Sequence, residues 1–262
     1  MLTAYDYPFA QLIDQAGIDI ILVGDSLANV VLGLKSTKEV TMDAMIHHCM
    51  AVNRACKNAL LIGDMPYESY QKNPKAAVVN ARRFVKEGGC DAVKLEWFDG
   101  CLKVTEDIIK AGIPVMGHVG LTPQTADKLG GLKVQGRDAL SAQKIISHAL
   151  ALQKRGCFSI VLECIPSAIA KIITKKISIP TIGIGAGLDC DGQVLVTYDL
   201  LGLFEDKVFH PKFVKRYANL SAIISKSISQ FRDDVKTGKF PDEKHSYSMD
   251  FNELKKIKEG KT

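Results

Sequence analysis

Short apolar runs alternate along the chain with longer amphipathic stretches, the order produced by repeated strand–helix units on a parallel sheet. The apolar runs are Leu2–Ala4, Ile18–Gly24, Ala59–Gly63, Ala92–Leu95, Pro114–Gly117, Ser159–Leu162, Thr181–Gly185 and, less clearly, Val194–Tyr198. They predict eight strands. Between them, helices are predicted over Tyr7–Ala16, Thr41–Ala55, Pro74–Glu87, Leu102–Ala111, Ala139–Arg155 and Pro166–Lys176, with further helical material after Pro211. The helix ends carry their own signals. Pro74 and Pro166 stand at predicted starts, where a proline sacrifices no intrahelical hydrogen bond, and Gly17, Gly88, Gly112 and Gly156 stand at predicted stops.

Eight such units predict an α/β fold, a closed (β/α)8 TIM barrel, although a doubly wound open sheet would show much the same local pattern. A chain of 262 residues with 47% hydrophobic content is the right size for one barrel domain spanning 1–262. The stretch from about Asp242 to Thr262, with Lys255, Lys256, Lys258 and Lys261, is polar and reads as a tail.

Composition narrows the class further. The formal charge of +5 is spread along the chain rather than gathered into a patch, so no nucleic-acid partner is expected. No apolar run reaches membrane-spanning length, and the opening MLTAYDYPFA has neither the basic region nor the apolar core of a secretory signal. A cytoplasmic protein without a membrane partner is expected. Seven cysteines with no Cys-x-x-Cys pair are expected to be free, structural thiols.

In a barrel the chemistry belongs at the C-terminal ends of the strands. Five consecutive strands here end in a titratable side chain: Asp25, Asp64, Glu96, His118 and Glu163. Any one could simply mark the chain's return to water, but five in succession point to a site. Lys94 and Glu96 are two residues apart and therefore share a face, which in a barrel is the interior, while Val93 and Leu95 face the helices. A Lys94–Glu96 ion pair is the plainer alternative. Three converging carboxylates, Asp25, Asp64 and Glu96, repel unless a cation sits among them, and an all-oxygen set favours Mg²⁺ over zinc. Such an ion can chelate a 2-oxo acid and acidify the carbon beside its carbonyl. Glu163 is then the candidate base, with Lys94 and His118 placed to offset charge on the substrate carboxylate or the developing enolate.

Several stretches then match one family: Leu2-Thr3-Ala4-Tyr5-Asp6-Tyr7, Leu22-Val23-Gly24-Asp25-Ser26-Leu27, Asp64-Met65-Pro66, Val93-Lys94-Leu95-Glu96, Gly117 to Gln124, Lys133 to Arg137, Leu162 to Pro166, and Ile182 to Gly187. Together they make the chain resemble the ketopantoate hydroxymethyltransferases, barrels of the phosphoenolpyruvate/pyruvate type. The resemblance implies transfer of a one-carbon unit from 5,10-methylenetetrahydrofolate to 3-methyl-2-oxobutanoate, giving 2-dehydropantoate and tetrahydrofolate through a Mg-stabilised enolate, in pantothenate and coenzyme A synthesis. By matching position it implies Asp25 and Asp64 as magnesium ligands and Glu96 at or near the ion. It places Tyr5, Ser26, Lys94 and His118, with Asp25 and Asp64, against the oxo acid, and makes Glu163 the proton acceptor. It also implies a homo-oligomer, often a decamer. Where the family commonly has glycine after the strand-four glutamate, this chain has Trp97 and Phe98, a bulkier edge.

Two other enzyme and non-enzyme readings were open on the residues: a lyase or mutase acting on a different oxo acid, which would need a Lys-Lys-Cys-Gly-type loop that this chain lacks, and an inactive scaffold barrel. The Gly183, Gly185, Gly187 series is not a dinucleotide fingerprint, because Leu188 stands where its last glycine belongs, and close backbone packing or substrate approach is expected there instead. His47 and His48, adjacent on a helix, are expected to be ordinary histidines rather than ligands.

Overall fold

The computed structural model describes residues 1–204 and 211–260; the tail's Lys261, predicted with the polar end, lies outside them. Eight strands are present: β1 (Leu2–Thr3), β2 (Ile20–Val23), β3 (Leu60–Asp64), β4 (Ala92–Glu96), β5 (Val115–Gly120), β6 (Ser159–Glu163), β7 (Thr181–Ile184) and β8 (Gly192–Gln193). Each pairs in parallel with the next, in sequence order. The circuit is completed by a parallel bridge between Leu2 and Leu195, supported by the Met1 amino group donating to Gln193 O at 3.0 Å. That closure separates a barrel from an open sheet, whose first and last strands would stay unpaired.

The eighth strand lies earlier than its apolar run predicts. Pairing is confined to Gly192–Gln193 and the bridge at Leu195, and Thr197–Leu200 is helical. Thr197 explains the shift. Its backbone N–H donates to Thr3 Oγ1 and its own hydroxyl donates to Thr3 O, so side chains finish the closure that ladder bonds would otherwise make.

The main helices occupy the predicted segments with ends shifted by a few residues, the one predicted over Leu102–Ala111 running Cys101–Lys110. Asp6, Thr41 and Asp138 cap the helices Tyr7–Gln15, Met42–Asn53 and Ala139–Lys154 by accepting from backbone N–H groups of the first turn. The predicted Pro74 helix begins as a 3₁₀ turn, Pro74–Ala76, before Ala77–Lys86 becomes α-helical. Short helices at Leu27–Val30 and Tyr67–Tyr70 fill two strand-to-helix loops that periodicity left blank.

Strand alternation sorts the core into two clusters. Val23, Val93, Leu95, Val119 and Leu162 face outward and pack with helix residues such as Phe84, Ile108 and Leu152. Leu22, Ile62, Ala92, Met116, Val161, Ile182 and Val194 face inward and form a separate apolar plug. Close packing at the glycine series is also found: a Cβ on Gly185, where φ is +63°, would lie 2.7 Å from the Phe213 ring. All seven cysteines are free, and burial pushes the Cys157 thiol up to about 12, leaving it unreactive at neutral pH. His48 is tied by Nδ1 to Tyr5 O at 2.6 Å.

The chain divides into two compact units, one of Met1–Leu200 with Phe209–Lys215 and one of Leu201–Val208 with Arg216–Thr262. The first contains the barrel. The second contains helix Leu220–Lys236, started by Asn219, with exposed Ile223, Ile228 and Phe231, and the short helix Phe251–Lys258. Among the described residues no helix is long and apolar enough to cross a membrane.

Candidate active site

The inward register that builds the apolar plug also builds the site. Moving two residues along from Ile62 reaches Asp64, from Ala92 reaches Lys94 and then Glu96, from Met116 reaches His118, and from Val161 reaches Glu163. Asp64, Lys94, Glu96 and His118 are each 5% exposed or less, and Asp25, just past β2, is also buried. The structure thus brings all five predicted strand-end groups and Lys94 to the same end of the barrel.

Lys94 pairs across strands with Asp64, its register neighbour, rather than with Glu96 on its own strand. Its Nζ lies 2.7 and 2.9 Å from the two Asp64 oxygens. Asp64 Oδ2 also accepts from the Asp25 backbone N–H at 3.2 Å, which ties the ends of β2 and β3 together. Burial and then the Asp64 carboxylate push Asp25 up to about 7, against the pull of Lys94. Burial, with Asp25 next, holds Glu96 well above the usual carboxylate range. Burial alone would lower Lys94, but Asp64, Asp25 and Glu96 outweigh it and hold the ammonium above its ordinary value.

His118 is buried, and among the described residues neither ring nitrogen makes a well-aligned hydrogen bond. Its Nε2 lies 3.3 Å from Glu163 Oε2 and its Nδ1 3.9 Å from Glu96 Oε1. Glu163 keeps some access, with its side chain 16% exposed. Its backbone is clamped, because Leu121 N–H donates to Glu163 O at 2.9 Å and Gly120 packs so closely that a Cβ there would lie 2.2 Å from that oxygen. The next residue, Cys164, takes a left-handed φ of +46°, turning the chain away sharply after Glu163. At the first strand, buried Tyr5 shares a 2.8 Å hydrogen bond with Ser26, and burial raises its hydroxyl above the ordinary tyrosine value.

Two residues of this site carry no strand-end signal. Gln124 follows Pro123 in the 3₁₀ segment Pro123–Leu129, and Tyr70 ends the helix Tyr67–Tyr70; both are fully buried. Gln124 donates from Nε2 to Asp25 Oδ2 at 2.9 Å and from its backbone to Glu96 Oε2 at 3.1 Å. A buried amide beside two carboxylates was visible only as part of the family-like Gly117–Gln124 stretch. The bulky edge residues turn out to be packing elements: Trp97 stacks on His148 at 3.7 Å, and Phe98 meets the Tyr70 ring edge-on at 5.4 Å.

A family model for ketopantoate hydroxymethyltransferase matches residues 1–243. The chain belongs to the ketopantoate hydroxymethyltransferase family. It is therefore a hydroxymethyltransferase, and the lyase and scaffold readings fall away. The 3-methyl-2-oxobutanoate hydroxymethyltransferase of Moorella thermoacetica is 56% identical over 247 residues, 94% of this chain and 91% of that protein. The enzyme of the same name from Syntrophomonas wolfei is 53% identical over 95% of this chain and 90% of its own length. Among solved structures, phosphonopyruvate hydrolase in complex with oxalate and Mg²⁺ superposes with a TM-score of 0.57 at 14% identity, covering 99% of this chain and 90% of that one. That likeness concerns the barrel fold.

Among the described residues, no group of three or more His, Cys, Asp or Glu side chains is gathered to hold an ion by itself. Asp25 and Asp64 do stand side by side, and the buried carboxylates Asp25, Asp64 and Glu96 face one ammonium, Lys94. Two carboxylate ligands with the other positions left to water and substrate oxygens suit Mg²⁺, which dehydrates reluctantly and demands no all-protein cage. The residues fit such an ion.

Proposed function

We propose that the site transfers a one-carbon unit from 5,10-methylenetetrahydrofolate to 3-methyl-2-oxobutanoate, yielding 2-dehydropantoate and tetrahydrofolate in pantothenate synthesis. The observation that supports it is the cluster of three buried carboxyl groups around Lys94 at the barrel mouth, beside His118, whose Nε2 lies 3.3 Å from Glu163 Oε2. Asp25 and Asp64 would hold a Mg²⁺ ion, with Glu96 at its periphery. When bound, the ion supplies Lewis-acid chemistry that draws electron density from the 2-oxo group and makes the C3 proton more acidic.

The chain's own groups do the rest. Lys94 and Ser26 bind the oxo acid, the ammonium offsetting the substrate carboxylate, and Tyr5 holds the Ser26 hydroxyl in place. Glu163 takes the C3 proton, and His118, 3.3 Å away, donates to the base or to the substrate oxygen. The C3 electron pair then forms a bond to the donated carbon as that carbon's bonds to the two folate nitrogens break; one water supplies the product hydroxyl, and its remaining proton and the proton taken by Glu163 end on those nitrogens.

The test follows the C3 proton of 3-methyl-2-oxobutanoate by NMR in D₂O, with Mg²⁺ and no folate. Metal-dependent exchange is expected; a folded protein that catalyses none would overturn the assignment of Glu163 and the cation. Assembly into a homo-oligomer, a decamer by resemblance, is part of the same reading, and light scattering in solution gives its mass.

A further inference from the structure

We propose that Gln124, oriented by Tyr70, is a positioning residue that holds the Asp25 carboxylate ready for a divalent cation. The inference rests on the reading of Asp25 and Asp64 as cation ligands and adds to it the device that prepares one of them.

The side-chain amide of Gln124 is fully buried and all of its hydrogen-bonding capacity is used. Nε2 donates to Asp25 Oδ2 and to Met65 O, each at 2.9 Å. Oε1 accepts from the Tyr70 hydroxyl at 2.5 Å and from Gln71 Nε2 at 2.9 Å. The Met65 carbonyl can only accept, so the amide nitrogen must face it, and the other N–H is thereby aimed at Asp25. A flipped amide would set two oxygens against each other at both places. The orientation is dictated by partners, not by chance.

Tyr70 locks the far side. Its hydroxyl donates to Gln124 and accepts from the Glu96 backbone N–H at 2.9 Å, and Phe98 packs on its ring. The backbone N–H of Gln124 in turn donates to Glu96 Oε2. One residue from the loop after β5 therefore grips a carboxylate after β2 and another at the end of β4. A carboxylate whose Oδ2 is already held presents Oδ1 in a fixed direction, so less rotational freedom is lost when a cation binds.

The experiment measures Mn²⁺ binding, without substrate, by the loss of the free-ion electron paramagnetic resonance signal. It compares the wild type with Gln124→Met and Tyr70→Phe, each checked for folding by circular dichroism. Gln124→Met is expected to weaken Mn²⁺ affinity by roughly 10–100-fold. Tyr70→Phe, which leaves the amide in place but removes one of the two donors to its oxygen, should weaken it by a smaller factor. Saturating Mn²⁺ should restore most of the C3 proton exchange in both. A purely structural role would lower the melting temperature and leave the affinity of the folded protein alone. If Gln124→Met does not fold, Tyr70→Phe, which keeps the amide, answers in its place and should still bind more weakly. Folded variants with wild-type Mn²⁺ affinity overturn the proposal and leave the cation site standing. A wild type that binds no Mn²⁺ overturns both.

Discussion

The floor and the mouth of the barrel interior are made by the same strands and the same inward face, two residues apart. On the floor, Ile62, Ala92, Met116 and Val161 pack against one another in an apolar layer. At the mouth, Asp64, Lys94, His118 and Glu163 take their places along the same strands. Floor residues gain from leaving water. Mouth residues lose by it, and are held there by cross-strand pairs such as Lys94–Asp64 and by donors such as Gln124. The contrast teaches that alternation decides which way a side chain points, whereas depth along the strand decides whether it serves stability or chemistry.

The sharpest way to break this comparison is at the base. Glu163→Gln should slow C3 proton exchange by about 10²–10⁴-fold while leaving the melting temperature near that of the wild type, since Glu163 is the more accessible carboxylate of the group. The opposite profile is expected on the floor. Met116→Ala should cost about 2–5 kcal/mol of stability in a denaturant titration, with the exchange rate per folded molecule largely kept; an equal collapse of both would mean that floor and mouth are not separable.

The pH dependence sharpens the contrast from the electrostatic side. Because the folded protein holds Asp25 up at about 7, above its value in the unfolded chain, this group's contribution to stability is full below about pH 4 and is lost as the pH rises towards 7. A divalent cation competes with that proton. Thermal scans should therefore show a larger stabilisation by Mg²⁺ at pH 8 than at pH 6; an equal gain at both would remove Asp25 from the ligand set. The smallest effect belongs to the surface. The Lys171–Asp189 pair is 2.9 Å long but half exposed, and Lys171→Ala should shift stability by less than about 1 kcal/mol.

Much of this was readable in the chain. The strand ends located Asp25, Asp64, Glu96, His118 and Glu163, because in a parallel barrel the polar residue closing each apolar run is the one that reaches the mouth. The shared face of Lys94 and Glu96 followed from alternation. Three things were not readable. The partner of Lys94 depends on the register between β3 and β4, which sets Asp64 opposite it. The eighth strand's place depends on hydroxyl bonds between Thr197 and Thr3, nearly two hundred positions apart. Gln124 and Tyr70 arrive from a 3₁₀ loop and a one-turn helix, whose positions carry no period.

By itself, then, the sequence determined the alternating strands and helices, the inward and outward faces, and the charged residues at the strand ends, since each is a matter of local period and chain direction. Only the tertiary structure decided which charge meets which, that the ring closes between Leu2 and Leu195, and that a buried amide holds Asp25. Those outcomes depend on distances between segments far apart in the chain, and on a desolvation cost that exists only once the barrel has formed around them.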